Sequence, residues 1–444
     1  MTDQKHPPGL AVLFLTEMWE RFGFYTMLAM FTLYLQHKEQ GFGWTEEKAT
    51  TLYSYYMMFV YASPLVGGWI ADRRLGYWKS VLLGGFIFML GYFLLAVHSL
   101  PVLYLGLTCL VIGNGFFKPN VSAMVGHLYP EGSPLKDRAY NIFYMGINIG
   151  ALLAPLSAGL MVKYFGFHPA FAVAGFGMII SVSILWNFKY LVETKIKHAP
   201  AEISQNPIIQ RRKNAIDEIP DNYRIGALLI IFLIVIVFWM VFHQNGSTLT
   251  YWAKDNTDWS ITRIISNDDK EVLGIISNVI NPFWVVTLTF PVVWFWKGLA
   301  RYGMEPSTPT KMAMGMFLLG LSFFIMYAAA KTGEQELSQE SRYQFRVSIL
   351  WLIATYFVAT LGELMLSPMG LSLVSKVSPV RFRGIMMGGW FVATAIGNKL
   401  TAIGIYWKEW WHSSFFAILG GMALFMAVIL FLLLKPLKKA MPGV

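Results

Sequence analysis

Apolar residues run along this chain in long stretches of about twenty or more, separated by short polar segments. Coiled as α-helices, runs of that length match the hydrocarbon thickness of a bilayer. Twelve spans are predicted, at about residues 10–36, 49–73, 78–98, 100–128, 138–162, 168–190, 223–253, 270–298, 308–331, 345–377, 381–408 and 412–436. The runs lack strand-like alternation, so helices are expected rather than a barrel. Composition agrees: 56% of the 444 residues are hydrophobic and 14% charged, against about 25% charged in soluble domains. The first run is too long for a cleavable signal peptide and contains acids, so it reads as a retained span.

Charge adds a direction to this pattern. With the N-terminus inside, 22 of the 35 Lys and Arg residues fall in inner loops and tails, 10 outside and three within spans. That asymmetry is the positive-inside pattern, which places both termini in the cytoplasm. The net charge of +10 is thereby explained by topology, and no nucleic-acid partner is needed. The single Cys109 excludes an internal disulfide framework. The longest polar connection, Val192 to Arg224, divides the spans six and six. The expected organisation is an N-terminal bundle at 1–191, a cytoplasmic linker at 192–224 and a C-terminal bundle at 225–444.

Six charged residues stand inside the predicted spans: Glu17, Glu20, Arg21, Lys118, Glu363 and Lys399. Each costs roughly 2.5–3.5 kcal/mol at a helix centre on insertion scales. Unpaired, the six would cost on the order of 15–20 kcal/mol, above a typical stability of about 5–15 kcal/mol. Three are acidic and three basic, so compensation in a polar cavity is expected. Glu17, Glu20, Arg21 and Tyr25 fall within roughly a 140° arc of one helix. Glu20 and Lys118 lie at matching depth, roughly 15 Å from the inner surface, as a pair would require. Intramembrane ionisable groups are functional candidates by default; ion pairs that only pin helices together are the alternative. A cavity with cations on one bundle and Glu363 on the other suits a charged or zwitterionic solute, and a buried Glu near a Lys suits proton transfer.

The all-α 6+6 arrangement with a basic central loop resembles the major facilitator superfamily, in which two bundles rock about a central site. The segment "GGWIADRRLGYWKS" carries Gly68, Asp72, Arg73 and Gly76 in that superfamily's Gly-x-x-x-Asp-Arg-x-x-Gly pattern. Further segments resemble its proton-dependent oligopeptide transporter family. These are "EMWERFGFY" in the first span, with Phe24 replacing a Tyr, "GNGFFKPNVSAMVG" in the fourth and "FYMGINIGALLAPL" in the fifth. "FWMVFHQNGST", "NPFW", "GELMLSPMGLSLVSKVSP" and "MMGGWF" follow in spans seven, eight, ten and eleven. The ordered set covers almost the whole chain.

The resemblance implies uptake of di- and tripeptides driven by inward proton movement, with alternating access and no cofactor beyond the proton. It implies peptide contacts from Arg21, Tyr25, Tyr61, Lys118 and Asn148, with Arg21 and Lys118 favouring the carboxylate. Asn281 and Glu363 would receive the amino terminus near Ser367, and Trp239 and Trp390 would line side-chain pockets. Glu17 and Glu20, with Lys118, would couple protonation to binding. Two positions depart from the family pattern. His243 stands where bacterial relatives usually carry an acid; its imidazole either takes a proton near neutral pH or hydrogen-bonds in the core. Ser54 stands where animal members carry a functional His. The short linker and the absence of a large domain between spans nine and ten point to a compact bacterial protein of the cytoplasmic (inner) membrane, expected as a monomer. The alternative is a carrier of the same fold for nitrate, an amino-acid conjugate or a peptide-like drug. An enzyme is not expected, since no His-Glu-x-x-His, Gly-x-Ser-x-Gly or metal-spaced His/Cys cluster occurs.

Overall fold

The computed structural model describes residues 6–129, 135–193, 218–262, 269–335, 345–379 and 382–442. Six long helices precede the linker: α1 (Gly9–Gln36), α2 (Glu46–Ile70), α3 (Tyr77–Leu95), α4 (Leu100–His127), α5 (Leu135–Phe165) and α6 (Phe167–Asn187). Six follow it: α7 (Asp221–Phe242), α8 (Ile280–Arg301), α9 (Thr308–Glu334), α10 (Ile349–Val377), α11 (Arg383–Leu400) and α12 (His412–Ala440). Short helices Thr248–Asp255 and Lys270–Ser277 extend α7 and α8. A two-residue parallel pairing joins β1 (Thr257–Asp258) to β2 (Val347–Ser348) at the start of α10.

Among the described residues, nine helical segments are long and apolar enough to cross a membrane, matching α3–α10 and α12. The other three, α1, α2 and α11, carry Glu17, Glu20 and Arg21, Glu46–Lys48, and Lys399 respectively. Large apolar side chains stay exposed on the helix exteriors, including Trp294, Phe290 and Leu432, as suits a chain whose solvent is lipid.

Two expected spans are interrupted. The seventh leaves α-geometry at His243–Gly246, a 3-10 turn, and the eleventh continues past Leu400 as 3-10 helix through Lys408. In the first case the turn closes on Gly246, a residue about 1 kcal/mol less favourable than Ala in a helix. Gly76, the last residue of the Gly-x-x-x-Asp-Arg-x-x-Gly pattern, follows a π-turn at Ala71–Leu75 and has φ +72. A side chain there would be strained, which accounts for the glycine.

The chain forms two compact units. The first holds α1, α3–α6 and the C-terminal half of α2; the second holds α7–α12 together with Thr45–Met58, the N-terminal half of α2. Within each, glycines let backbones approach where lipid supplies no hydrophobic drive between helices. A Cβ on Gly84 of α3 would stand 2.8 Å from the Gly113 carbonyl of α4, and one on Gly362 of α10 2.6 Å from the Gly315 carbonyl of α9. On Gly67 of α2 it would collide with the Gly115 carbonyl, whereas around Gly226 of α7 the space is open. Gly67→Ala should therefore lower the melting temperature of the purified protein by several degrees. Gly226→Ala should hold or raise it, since it removes roughly 0.5–1 kcal/mol of backbone entropy cost. Equal melting curves for the two variants would contradict the packing argument.

Candidate functional site

In the first unit the polar group is built on α1, whose one face carries Glu17, Glu20 and Arg21, each no more than 3% exposed. Arg21 grips the Glu20 carboxylate with two bonds: Nη2 donates to Oε1 at 2.7 Å and Nε donates to Oε2. The same Nε lies 3.3 Å from Glu17 Oε1. Nη2 reaches Asn114 Oδ1 of α4 at 3.4 Å, and Asn114 Nδ2 donates to the Val60 carbonyl of α2 at 2.7 Å. One guanidinium thus links α1 to α4 and, through an amide, to α2. Gly150 of α5 lies against the Met18 carbonyl and the Arg21 Cβ, closing the fourth side.

Lys118 on α4 is half-buried with Nζ 4.7 Å from the Tyr61 ring centroid. Among the described residues no carboxylate lies within 4 Å of it. Glu20, expected at the depth of Lys118, is taken by Arg21 instead: the neighbouring guanidinium offers a planar fork that an ammonium lacks. Tyr25 is half-buried on α1 beside Phe24, with ring centroids 5.3 Å apart. Asn148 is buried on α5 and donates to the Tyr144 carbonyl of its own helix at 2.8 Å.

The second unit holds two polar groups. Glu363 on α10 receives a 3.0 Å hydrogen bond from Asn281 Nδ2 of α8, which also reaches Thr360 Oγ1 at 2.9 Å. No cation lies within 4 Å of Glu363 among the described residues. Ser367 follows one turn later on α10; its side chain lies outside the described residues. Where α7 breaks, buried His243 hydrogen-bonds through Nδ1 to the Asn398 side-chain oxygen of α11 and stacks on Trp239, centroids 4.8 Å apart. Trp390 packs edge-on to Phe232 at 6.4 Å and against Gly370.

A third set escaped the sequence reading. Glu46, Thr50 and Ser54, spaced i, i+4 and i+8 on α2, form one polar stripe inside the second unit. Glu46 pairs with Lys408 at 2.8 Å, Thr50 with the Tyr251 hydroxyl at 3.1 Å, and Ser54 accepts from Lys399 Nζ at 3.2 Å. Lys399 also sits 3.7 Å over the Tyr55 ring. The four-residue spacing was visible in the sequence as a helical stripe, but nothing there named its partners.

Among the described residues, twelve long helices in two units, with buried charged groups inside the spans, are the features of a multi-pass membrane carrier. A model of the POT family matches residues 78–200 and 185–410. A di-/tripeptide transporter of Lactococcus lactis subsp. lactis (strain IL1403) is 32% identical over 99% of this chain and 97% of its own length. The uncharacterized transporter YclF of Bacillus subtilis (strain 168) is 30% identical, over 99% and 96%. The crystal structure of a peptide transporter POT in complex with alafosfalin matches with a TM-score of 0.84 at 28% identity, covering 100% of this chain and 97% of that one. The chain belongs to the POT family, whose members are transporters rather than enzymes.

Arg21→Leu should strand two buried acids and cost about 3–5 kcal/mol of stability, the penalty for breaking a buried pair. Glu17→Gln and Glu20→Gln added to it should restore part of the loss. Thermal melts and size-exclusion profiles of the detergent-purified variants check both; a triple variant no better than Arg21→Leu would contradict the compensation account.

Proposed function

We propose that this protein carries di- and tripeptides into the cell by proton-coupled symport with alternating access. The observation that carries the reading is a pair of charges with no counterion within 4 Å among the described residues. Lys118 of the first unit rests on an aromatic ring, and Glu363 of the second is held by an amide. A peptide zwitterion supplies what each lacks, a carboxylate for Lys118 and an ammonium for Glu363 and Asn281, and Arg21 is assigned a further contact to the peptide beside its bonds to Glu20. Tyr25, Tyr61, Asn148 and Ser367 are assigned to backbone contacts, Trp239 and Trp390 to side-chain pockets. Protons pass through Glu17 and Glu20 working with Lys118, and His243 is assigned to the same coupling. The Lactococcus lactis relative is a di-/tripeptide transporter, and another POT family structure holds a thioalcohol conjugated peptide at 25% identity; both support the substrate class.

The protein is assigned to a bacterial inner membrane as a monomer with both termini cytoplasmic, no cofactor, and the proton as coupling ion. One charge crossing 100 mV releases about 2.3 kcal/mol, enough for roughly fifty-fold accumulation of a neutral zwitterion. The test is uptake of labelled dialanine into liposomes with an inward pH gradient and a negative interior. Glu363→Gln should lower uptake at least tenfold. Glu20→Gln and Lys118→Ala should abolish gradient-driven accumulation, with exchange surviving in at least one of them. If no di- or tripeptide is transported or competes, the substrate assignment fails.

A further inference from the structure

At one end of the first unit α1 and α3 stop, while α4 and α6 begin. Two histidines meet there. His98 lies in the connection from α3 to α4 and His168 in the first turn of α6, with ring centroids 5.6 Å apart. Tyr34 of α1 packs edge-on to His168 at 5.6 Å, and Phe42 leans on His98 at 5.1 Å. None of these residues belongs to the groups assigned to transport above.

Hydrogen bonding separates the nitrogens of this pair. The Gly41 carbonyl can only accept, so His98 Nε2 donates the 2.7 Å bond between them. In the neutral ring the lone pair is then on Nδ1. A ring N–H given to a backbone carbonyl is also how a metal-ligating imidazole is oriented. His168 Nε2 is buried with no hydrogen-bond partner among the described residues, and so is the Tyr34 hydroxyl beside it. Buried polar atoms ordinarily meet a partner, and an ion or a water is the usual one where protein supplies none. The ring spacing distinguishes the two. A metal ion lies about 2.0–2.1 Å from a ligating imidazole nitrogen, hence about 3.2 Å from the ring centre, so two rings at a tetrahedral angle stand about 5.2 Å apart. The observed 5.6 Å needs only a slightly wider angle. His98 is exposed and His168 half-buried, which gives an ion a way in.

We propose that His98 Nδ1 and His168 Nε2 form a site for a divalent transition metal ion, Zn²⁺ or Cu²⁺, with water in the remaining positions. Imidazole ligands suit these ions, whereas Ca²⁺ and Mg²⁺ require oxygen ligands that the pair lacks. No third His, Cys, Asp or Glu joins the two among the described residues, so the ion exchanges with solvent instead of being a fixed part of the fold. Once bound, it joins the α3–α4 connection to the start of α6. The site lies within one unit and stands apart from the transport reading.

The test is calorimetric titration of Zn²⁺ into the full-length protein in neutral detergent, purified on a tag without histidines and freed of chelators. One saturable equivalent should bind and raise the melting temperature. His98→Gln, whose amide can still donate to Gly41, and His168→Gln should each weaken binding at least tenfold. His6→Gln, whose ring bonds Tyr129 beyond the other end of α1, should leave it unchanged. The paramagnetic resonance spectrum of one equivalent of Cu²⁺ should show two imidazole nitrogens in the wild type and one in His98→Gln. That count decides the matter even where His168→Gln fails to fold. A wild type that binds no Zn²⁺ saturably overturns the proposal and leaves His168 Nε2 to a water. Binding undiminished in His98→Gln/His168→Gln overturns it as well, since the metal then sits elsewhere on the chain.

Discussion

The grip of Arg21 on Glu20 and Glu17 is the constraint around which the first unit is arranged. In a medium that screens charge poorly, an uncompensated carboxylate is far costlier than any packing defect nearby. The bond set therefore fixes the rotation of α1, and through Asn114 it fixes α4 and the backbone of α2 relative to it. Glycines stand where these polar groups need neighbours to come close. Gly150 meets α1 beside Arg21, Gly362 precedes Glu363, and Gly397 meets the Ile236 carbonyl beside Asn398. Small residues bring the backbones together, and the polar side chains then find partners within reach.

Not every charge in the spans is treated the same way. Arg21 is saturated by carboxylates, whereas Lys118 and Lys399 face rings and a hydroxyl, and Glu363 faces an amide. A ring or an amide orients a charge and lowers its cost without cancelling it. That is a useful division for a carrier. The saturated group gives the bundle a fixed frame, and the half-satisfied groups keep an affinity that a passing solute or proton can use.

Much of this was legible in the residues. Apolar run lengths located the twelve long helices of the described residues, and the expense of Glu17, Glu20 and Arg21 in hydrocarbon marked them as a group before any geometry was known. Gly76 was legible as part of a pattern, and its positive φ supplies the reason. The sequence did not disclose which neighbour each polar group would choose. Glu20 turned to Arg21 rather than Lys118 because adjacency on α1 and a planar fork outweigh equal depth. Asn148 bonds to its own helix, a choice that periodicity does not encode. The break at His243–Gly246 lay inside the predicted seventh span, where apolar run length alone carries no sign of a turn.

The stripe on α2 has a consequence for the order of synthesis. Ser54 is made 345 residues before Lys399, and Thr50 is made 201 residues before Tyr251. At about 5–20 residues per second, Ser54 spends roughly 20–70 s in the nascent chain before Lys399 exists. A charged residue at that depth would be a standing liability during the wait. A hydroxyl is not, because it can turn back on its own helix, and Ser54 already donates to the Thr51 carbonyl at 2.8 Å. The charge of the Ser54–Lys399 contact thus sits on the late partner and the self-sufficient hydroxyl on the early one. Glu46, the ionised member of the early stripe, stands at the first turn of α2, where headgroups and water can keep it solvated until Lys408 arrives.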